Sequence, residues 1–215
     1  GSIMNKRRWT LGTVLVVAMV LEGIVLAGAD EYSASLTYDF NHDLEGWEAL
    51  TTTPKDPLFP TWQESYGGRL GVVKLSSCTY PAHDRRAGGA TLSILRKTIT
   101  LPVGILTLNI VAAKKVGGWP ESGYSDGLLR INVDHQQLAL LYLRALKDAT
   151  PRWHTFTLDL SPWAGQTVTL EIVGVPGGDG RACPTCTGTC DNEDIMIDAV
   201  IIRVEESVSE PPLMN

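Results

Sequence analysis

An acidic turn near residue 40 presents the first set of side chains that can hold a ligand. It contains four oxygen-bearing side chains at alternate positions, which are Asp39, Asn41, Asp43 and Glu45. Ca²⁺ is bound by about six to eight such oxygens in flexible geometry, so the turn is a candidate calcium site. It is not a calcium-binding helix-loop-helix motif, because Leu44 stands where that motif requires Gly and Leu50 where it requires Glu. A solvated acidic turn without a cation remains the alternative interpretation.

Cysteines form the second candidate cluster. The chain has four of them, which are Cys78, Cys183, Cys186 and Cys190. In an exported chain an even number predicts disulfides, and any of the three pairings is open. A bond from Cys78 to one of the other three would connect two long loops. Because Cys183 and Cys186 also have the spacing of zinc ligands, a four-thiolate zinc site is the competing hypothesis.

Aromatic residues in predicted loops suggest a third kind of site. Four of them lie in segments rich in Gly and Pro, which are Trp62, Tyr66, Trp119 and Tyr124. Exposed rings beside amide, carboxyl or guanidinium groups bind sugars, and four such residues are near in sequence, which are Gln63, Glu64, Arg69 and Asp126. Burial in the core and a protein interface are the alternatives for these four rings. Trp47 and Trp153 are predicted to pack in the core.

Catalytic motifs do not emerge from the sequence. The histidines are scattered, and there is no Gly-x-Ser-x-Gly elbow, phosphate loop or dinucleotide fingerprint. Carboxylate pairs such as Glu64 with Glu121 are suggested by loop position alone. No catalytic residue and no organic cofactor is therefore predicted.

The elements that must position these residues are short β-strands. About nine segments have strand character, several with period-two alternation, and they are separated by Gly, Pro, Asn and Asp. The segments are 35–40, 69–75, 91–99, 105–112, 128–133, 137–143, 155–160, 167–173 and 195–204. Residues 136–148 also fit a helical stripe, although a strand is favoured there. The pattern predicts an all-β antiparallel sandwich.

The N-terminal segment predicts export. Basic residues 6–8 precede an apolar stretch, 9–26, that ends in Ala27-Gly28-Ala29, the pattern of a secretory signal cleaved before Asp30. A retained membrane helix of about 18 residues gives the same topology. Residues 1–29 are thus a signal or an anchoring helix, 30–206 one sandwich domain and 207–215 a flexible polar tail. The formal net charge is −6, and the sequence shows no cluster of positive charge of the kind that a nucleic-acid-binding role requires.

Three segments together resemble extracellular jelly-roll modules of the carbohydrate-binding-module or galactose-binding-like type. They are the Asp-Phe to Gly-Trp opening at 38–47, the Trp-His to Thr-Leu run at 152–170 and the last strand, 194–202. The resemblance implies a jelly roll whose first and last strands are neighbours. It also implies a structural calcium between those strands, with Asp198 joining the acidic turn as a ligand.

These observations favour a non-catalytic extracytoplasmic domain that recognises a glycan or a surface protein. The alternative is a structural subunit of an extracellular filament, or an accessory subunit of a membrane complex, that assembles through its N-terminal segment. A carbohydrate-active hydrolase is the third hypothesis. Under each of these hypotheses the protein is expected to be secreted or anchored to the membrane, with its C-terminal domain outside the cytoplasm.

Overall fold

The computed structural model describes residues 35–52, 58–79, 90–115, 124–146, 150–176 and 194–205. All of them belong to one compact unit. Within these ranges no helix is long and apolar enough to span a membrane. The predicted N-terminal helix and the polar tail lie outside the described residues, so both stay predictions.

The described strands form two antiparallel sheets. Sheet A contains β1 (Ser35–Tyr38), β3 (Thr61–Tyr66), β4 (Arg69–Leu75), β7 (Ile105–Lys114), β10 (His154–Asp159) and β12 (Ile195–Glu205). Sheet B contains β2 (Glu48–Thr51), β5 (Ser77–Thr79), β6 (Ala90–Thr100), β8 (Tyr124–Val133), β9 (Gln136–Leu146) and β11 (Thr167–Pro176). The prediction of an all-β antiparallel sandwich is confirmed.

Strand order brings the two ends of the domain together. Sheet A runs β10-β7-β12-β4-β3, and β1 pairs with β12 beside β4. Tyr38 lies opposite Val200 in this antiparallel pair. Sheet B runs β2-β6-β11-β8-β9, with β5 on β6. The first and last strands are therefore neighbours, as the resemblance implied.

The core lies between the sheets and is built from alternate residues. The core residues of β7 are Leu106, Leu108, Ile110 and Ala112, and those of β11 include Val168, Leu170 and Ile172. Each strand thereby buries one side and leaves the other for the outer surface. Trp47 is 4% exposed and belongs to this core.

All nine predicted strands are present, and residues 137–143 lie in β9 rather than a helix. The sequence interpretation misses β2, β3 and β5. These strands are short, and β3 (Thr-Trp-Gln-Glu-Ser-Tyr) carries too few aliphatic residues to be recognised from its pattern. Trp62 and Tyr66 therefore lie in β3, and Tyr124 begins β8, so the placement of these three residues in loops is wrong.

Two turns position the edges of the sheets. A short 3-10 turn, Ser161–Trp163, joins β10 to β11, and Gly165 follows with φ +73°. Trp163 packs against the core. Asp134 and His135 form the turn between β8 and β9, both with positive φ.

Candidate functional site

The outer face of sheet B is the surface that its strands turn away from the core. Because Leu170 and Ile172 point inward, Glu171 and Val173 point outward. By the same alternation, six side chains from four neighbouring strands point outward. They are Arg96, Glu171, Arg130, Asn132, Leu140 and Tyr142. Guanidinium, carboxylate, amide, aliphatic and phenol groups thus share one surface.

Glu171 is the centre of a polar network on this face. Its side chain is 7% exposed, and Arg96 binds Oε1 through Nε at 2.9 Å and Nη2 at 2.8 Å. Asn132 donates to Oε2 at 3.1 Å, and Nδ1 of His135 lies 3.7 Å from Oε1. Burial raises the pKa of Glu171, but these donors and positive charges outweigh burial and lower the pKa below its ordinary value. Glu171 is therefore an ionised carboxylate with partners on both oxygens.

Arg130 lies beside this network without joining it. On β8 it stands opposite Val173 of β11 and Leu140 of β9. Val173 is 1% exposed, so the aliphatic part of Arg130 runs across an apolar strip. The Nε atom of Arg130 is buried and has no hydrogen-bond partner, and no ion pair involves Arg130 among the described residues. The guanidinium is held in place but not neutralised.

Tyr142 is an exposed aromatic ring on the same face. It is 50% exposed on the edge strand β9, opposite Leu128, and Leu140 is exposed to the same degree. Arg144 donates to the tyrosine hydroxyl through Nε at 3.1 Å and Nη2 at 2.7 Å. A ring fixed in this way beside a guanidinium group can stack on one face of a sugar while the polar group binds its hydroxyls.

The acidic turn lies between β1 and β2 and approaches a bulge in β12. The β12–β7 register shifts between Ile197 and Ala199, which makes Asp198 the extra residue of the bulge. Burial raises the pKa of Asp198, with a further contribution from Asp39, and Arg69 opposes both from 3.3 Å. Asp39 and Asp198 are therefore close enough to interact, although they are far apart in sequence.

Glu45 contributes the third carboxylate of this region. Burial, followed by a hydrogen bond with Asp39, raises the pKa of Glu45. Its Oε2 atom is buried and has no hydrogen-bond partner within the described residues. Because a buried, unpaired carboxylate oxygen is unfavourable, Oε2 is an atom that a bound cation would stabilise. Asp39, Glu45 and Asp198 thus supply the type of oxygen donor that Ca²⁺ prefers.

The other two residues of the turn have structural contacts. Asn41 donates to Asp39 from its backbone N–H at 3.3 Å and from Nδ2 at 2.6 Å. Asp43 accepts the backbone N–H of Glu45 at 2.5 Å. Among the described residues, no group of three or more His, Cys, Asp or Glu side chains is arranged to hold a metal ion. Backbone, amide or water oxygens would have to complete a calcium shell.

Trp62 and Tyr66 lie four residues apart on the same side of β3. Trp62 is 36% exposed, and its Nε1 donates to the carbonyl oxygen of Phe40 at 2.7 Å. Tyr66 packs edge-on against Trp153 with ring centroids 6.3 Å apart. Trp153 is half-buried and donates to the carbonyl oxygen of Gly67 at 3.2 Å, so its assignment to the core is wrong.

Several predicted site residues lie outside the described part of the chain. They are Trp119, Glu121, Cys183, Cys186 and Cys190. Cys78 lies in β5 and Tyr124 in β8, but only their backbones are described. Disulfides, the zinc alternative and the roles of Trp119 and Tyr124 therefore stay predictions.

No protein-family model and no curated protein matches the sequence. Among solved structures, the CBM22-1 xylan-binding domain from Paenibacillus barcinonensis Xyn10C matches at TM-score 0.48 and 10% identity, covering 83% of this chain and 100% of that chain. A CBM36 module in complex with calcium and xylotriose matches at TM-score 0.39 and 10% identity, covering 78% and 97%. The K1 cleaved adhesin domain of Lys-gingipain from Porphyromonas gingivalis W83 matches at TM-score 0.46 and 14% identity, covering 80% and 99%.

The structures found include carbohydrate-binding modules, the class that the sequence resembles. At these TM-scores and identities they assign no function to this chain. A function for this chain has to be inferred from the side chains of the candidate site. Sequence reasoning missed Tyr142 and Arg130, because both lie inside segments interpreted as strands. The signal was the alternation itself, since a ring between Leu141 and Leu143 must face the opposite side from both.

Proposed function

We propose that this protein is a non-catalytic, extracytoplasmic domain that binds glycans on the outer face of sheet B. The observation that supports the proposal is the half-exposed Tyr142 ring, held by Arg144 on a sheet surface that also carries Arg130. Sugar sites need an aromatic platform and fixed polar groups around it, and this surface has both. Export follows from the N-terminal segment and is part of the proposal.

The aromatic pair on β3 is the competing site on the same molecule. Trp62 and Tyr66 belong to sheet A, whereas Tyr142 belongs to sheet B, so substitutions separate the two surfaces. Trp62 has a hydrogen bond to Phe40 and Tyr66 packs on Trp153, which gives both rings structural contacts. We therefore expect the main platform to be Tyr142.

A glycan array followed by titration calorimetry tests the proposal on the parent chain and on Tyr142→Ala. We expect the parent to bind at least one glycan class and Tyr142→Ala to bind it about 10-fold more weakly, the effect of losing roughly 1.4 kcal/mol. Trp62→Phe serves as the control on the other sheet and should bind like the parent. If the array shows no ligand, or if Tyr142→Ala binds as tightly as the parent, the proposal is wrong.

We further propose that Asp39, Glu45 and Asp198 hold a structural Ca²⁺. The support is the unpaired, buried Oε2 of Glu45, together with the interaction of Asp39 with both Glu45 and Asp198. Such a cation would neutralise the carboxylates and connect the first turn of the domain to its last strand. Its role here is to stabilise the fold rather than to contact the sugar.

Thermal unfolding with Ca²⁺ and with a chelator tests this site. Added Ca²⁺ at 100 times its dissociation constant should increase the free energy of unfolding by about 2.7 kcal/mol. Glu45→Gln should remove most of that gain, whereas Glu64→Gln, a substitution at an exposed carboxylate of β3, should keep it. Identical melting curves for the parent with Ca²⁺ and with chelator would eliminate the calcium site.

A further inference from the structure

Arg130 is a guanidinium that the protein positions but does not neutralise. Its neighbours across the strands are Val173, 1% exposed, and Leu140, both apolar. Its Nε is buried without an acceptor, and no hydrogen bond or ion pair joins Arg130 to any residue of the described part of the chain. Because Nε is its only buried unpaired nitrogen there, the terminal amino groups remain open to a ligand.

The nearest carboxylate on this face is already bound. Glu171 stands one residue along β11 from Val173, the partner of Arg130, yet Arg96 and Asn132 bind its two oxygens. Strand register places two more acidic residues on this face: Glu48 on β2, three strands from β8 and so about 14 Å away, and Asp126, four residues from Arg130 along β8 and so about 13 Å away. The positive charge of Arg130 is thus left without a partner next to the Tyr142 platform.

We infer that the glycan bound by this face carries an anionic group, a carboxylate or a sulfate ester, that pairs with Arg130. The inference rests on the proposed glycan-binding function and adds its substrate class. An unpaired guanidinium between apolar side chains is unfavourable, and an oxyanion that accepts its N–H groups in a charge-assisted, bidentate pair relieves this. Tyr142 would stack on the sugar ring while Arg130 selects its charge.

Binding of three ligands by the full chain tests the inference. The ligands are a uronic-acid oligosaccharide, its carboxyl-reduced neutral form and a sulfated oligosaccharide of the same length. We expect at least one acidic ligand to bind at least about 10-fold more tightly than the neutral form. Comparison of the uronate with the sulfated ligand then identifies whether the preferred anion is a carboxylate or a sulfate ester. Equal affinity for the neutral and both acidic forms would overturn the inference.

Variants connect this preference to the residue. Arg130→Met keeps the aliphatic part of the side chain and should weaken acidic-ligand binding about 10- to 100-fold, with little effect on the neutral form. Arg130→Lys should bind the acidic ligand with an affinity between those of the parent and Arg130→Met, because lysine keeps the positive charge and loses the planar guanidinium group. Arg203→Met, at an exposed arginine of sheet A, is the control and should bind like the parent.

Stability measurements exclude a merely structural role. Arg130→Met removes a buried donor that has no partner, so its Tm should equal or exceed that of the parent. A much lower Tm, or an unchanged preference for acidic ligands in Arg130→Met, would overturn the assignment. Binding of neutral glycans that depends on Tyr142 but not on Arg130 would overturn this inference and leave the proposed function standing. Absence of binding to any glycan would overturn both.

Discussion

Glu171 shows how a single residue organises the outer face of sheet B. The carboxylate is nearly buried and has Arg96, Asn132 and His135 around it. Because these partners lower its pKa below the ordinary value, the folded state favours the ionised form more than the unfolded chain does. Ionised Glu171 therefore stabilises the fold above the unfolded pKa of about 4.3, and the gain disappears as the pH falls through the folded pKa.

Glu171→Gln should consequently lower the free energy of unfolding by about 1–3 kcal/mol at pH 7, since it replaces charge-assisted hydrogen bonds with weaker ones. Melting curves from pH 7 down to about pH 3 should show the difference from the parent shrinking once the parent carboxyl is protonated. Glu48→Gln is the control, because Glu48 lies opposite Arg96 on β2 but is exposed. A difference that stays constant with pH would contradict this account.

Individual residues divide into those that sequence can identify and those that it cannot. The acidic turn was recognisable because its oxygens are close in sequence, and the pairing of β1 with β12 adds Asp198 to it. The network around Glu171 was not recognisable, because its partners come from two other strands and a turn, and 75 residues separate Arg96 from Glu171. Only strand register brings such side chains together.

The hairpin of β8 and β9 illustrates the element scale. Its two-residue turn has φ +48° at Asp134 and +65° at His135, the conformation that suits the twist of a two-residue hairpin. Asp134 supports the turn by accepting the backbone N–H of Thr169 at 2.8 Å and donating its own to that residue's carbonyl at 2.9 Å. His135 is 74% exposed and has a left-handed backbone that Gly adopts without strain.

His135→Gly should therefore stabilise the domain by about 1 kcal/mol, which corresponds to a rise in Tm of roughly 2–4 °C for a chain of this size. The gain exceeds the loss of the 3.7 Å contact with Glu171, because that contact is largely solvated. Asp134→Ala should do the opposite, since it removes the acceptor for Thr169 and keeps the strained backbone. A lower Tm for His135→Gly, measured by differential scanning calorimetry, would contradict the interpretation of this turn.

Strands that alternate clearly could be predicted, whereas strands defined by their neighbours could not. β11 buries every second residue of a long run, so its pattern is visible. β4 shows the opposite case at Gly71, where a Cβ would lie 2.3 Å from the carbonyl oxygen of Phe40 and φ is +61°. Residue 71 is glycine because β4 and the acidic turn cross closely there, and this requirement cannot be predicted from the local sequence.

At the scale of the molecule, the sandwich follows from the strand pattern, but the location of the site does not. The sequence drew attention to aromatic residues between predicted strands, and the structure adds an aromatic platform in the middle of a strand, on a sheet surface. The sequence pattern shows which residues of each strand face the core and which face outward. Whether the outer face of a sheet can bind a ligand depends on which side chains the neighbouring strands bring together, and this is set by strand order and register.

The pairing of β1 with β12 also bears on how such a domain can be built into larger proteins. Ser35 lies across from Arg203 in an antiparallel pair, so the chain enters and leaves the folded unit about 5 Å apart. A unit with adjacent entry and exit points can be spliced into a surface loop of a host protein without forcing the host's backbone apart. The binding face proposed on sheet B would then be displayed on a side branch of the host protein.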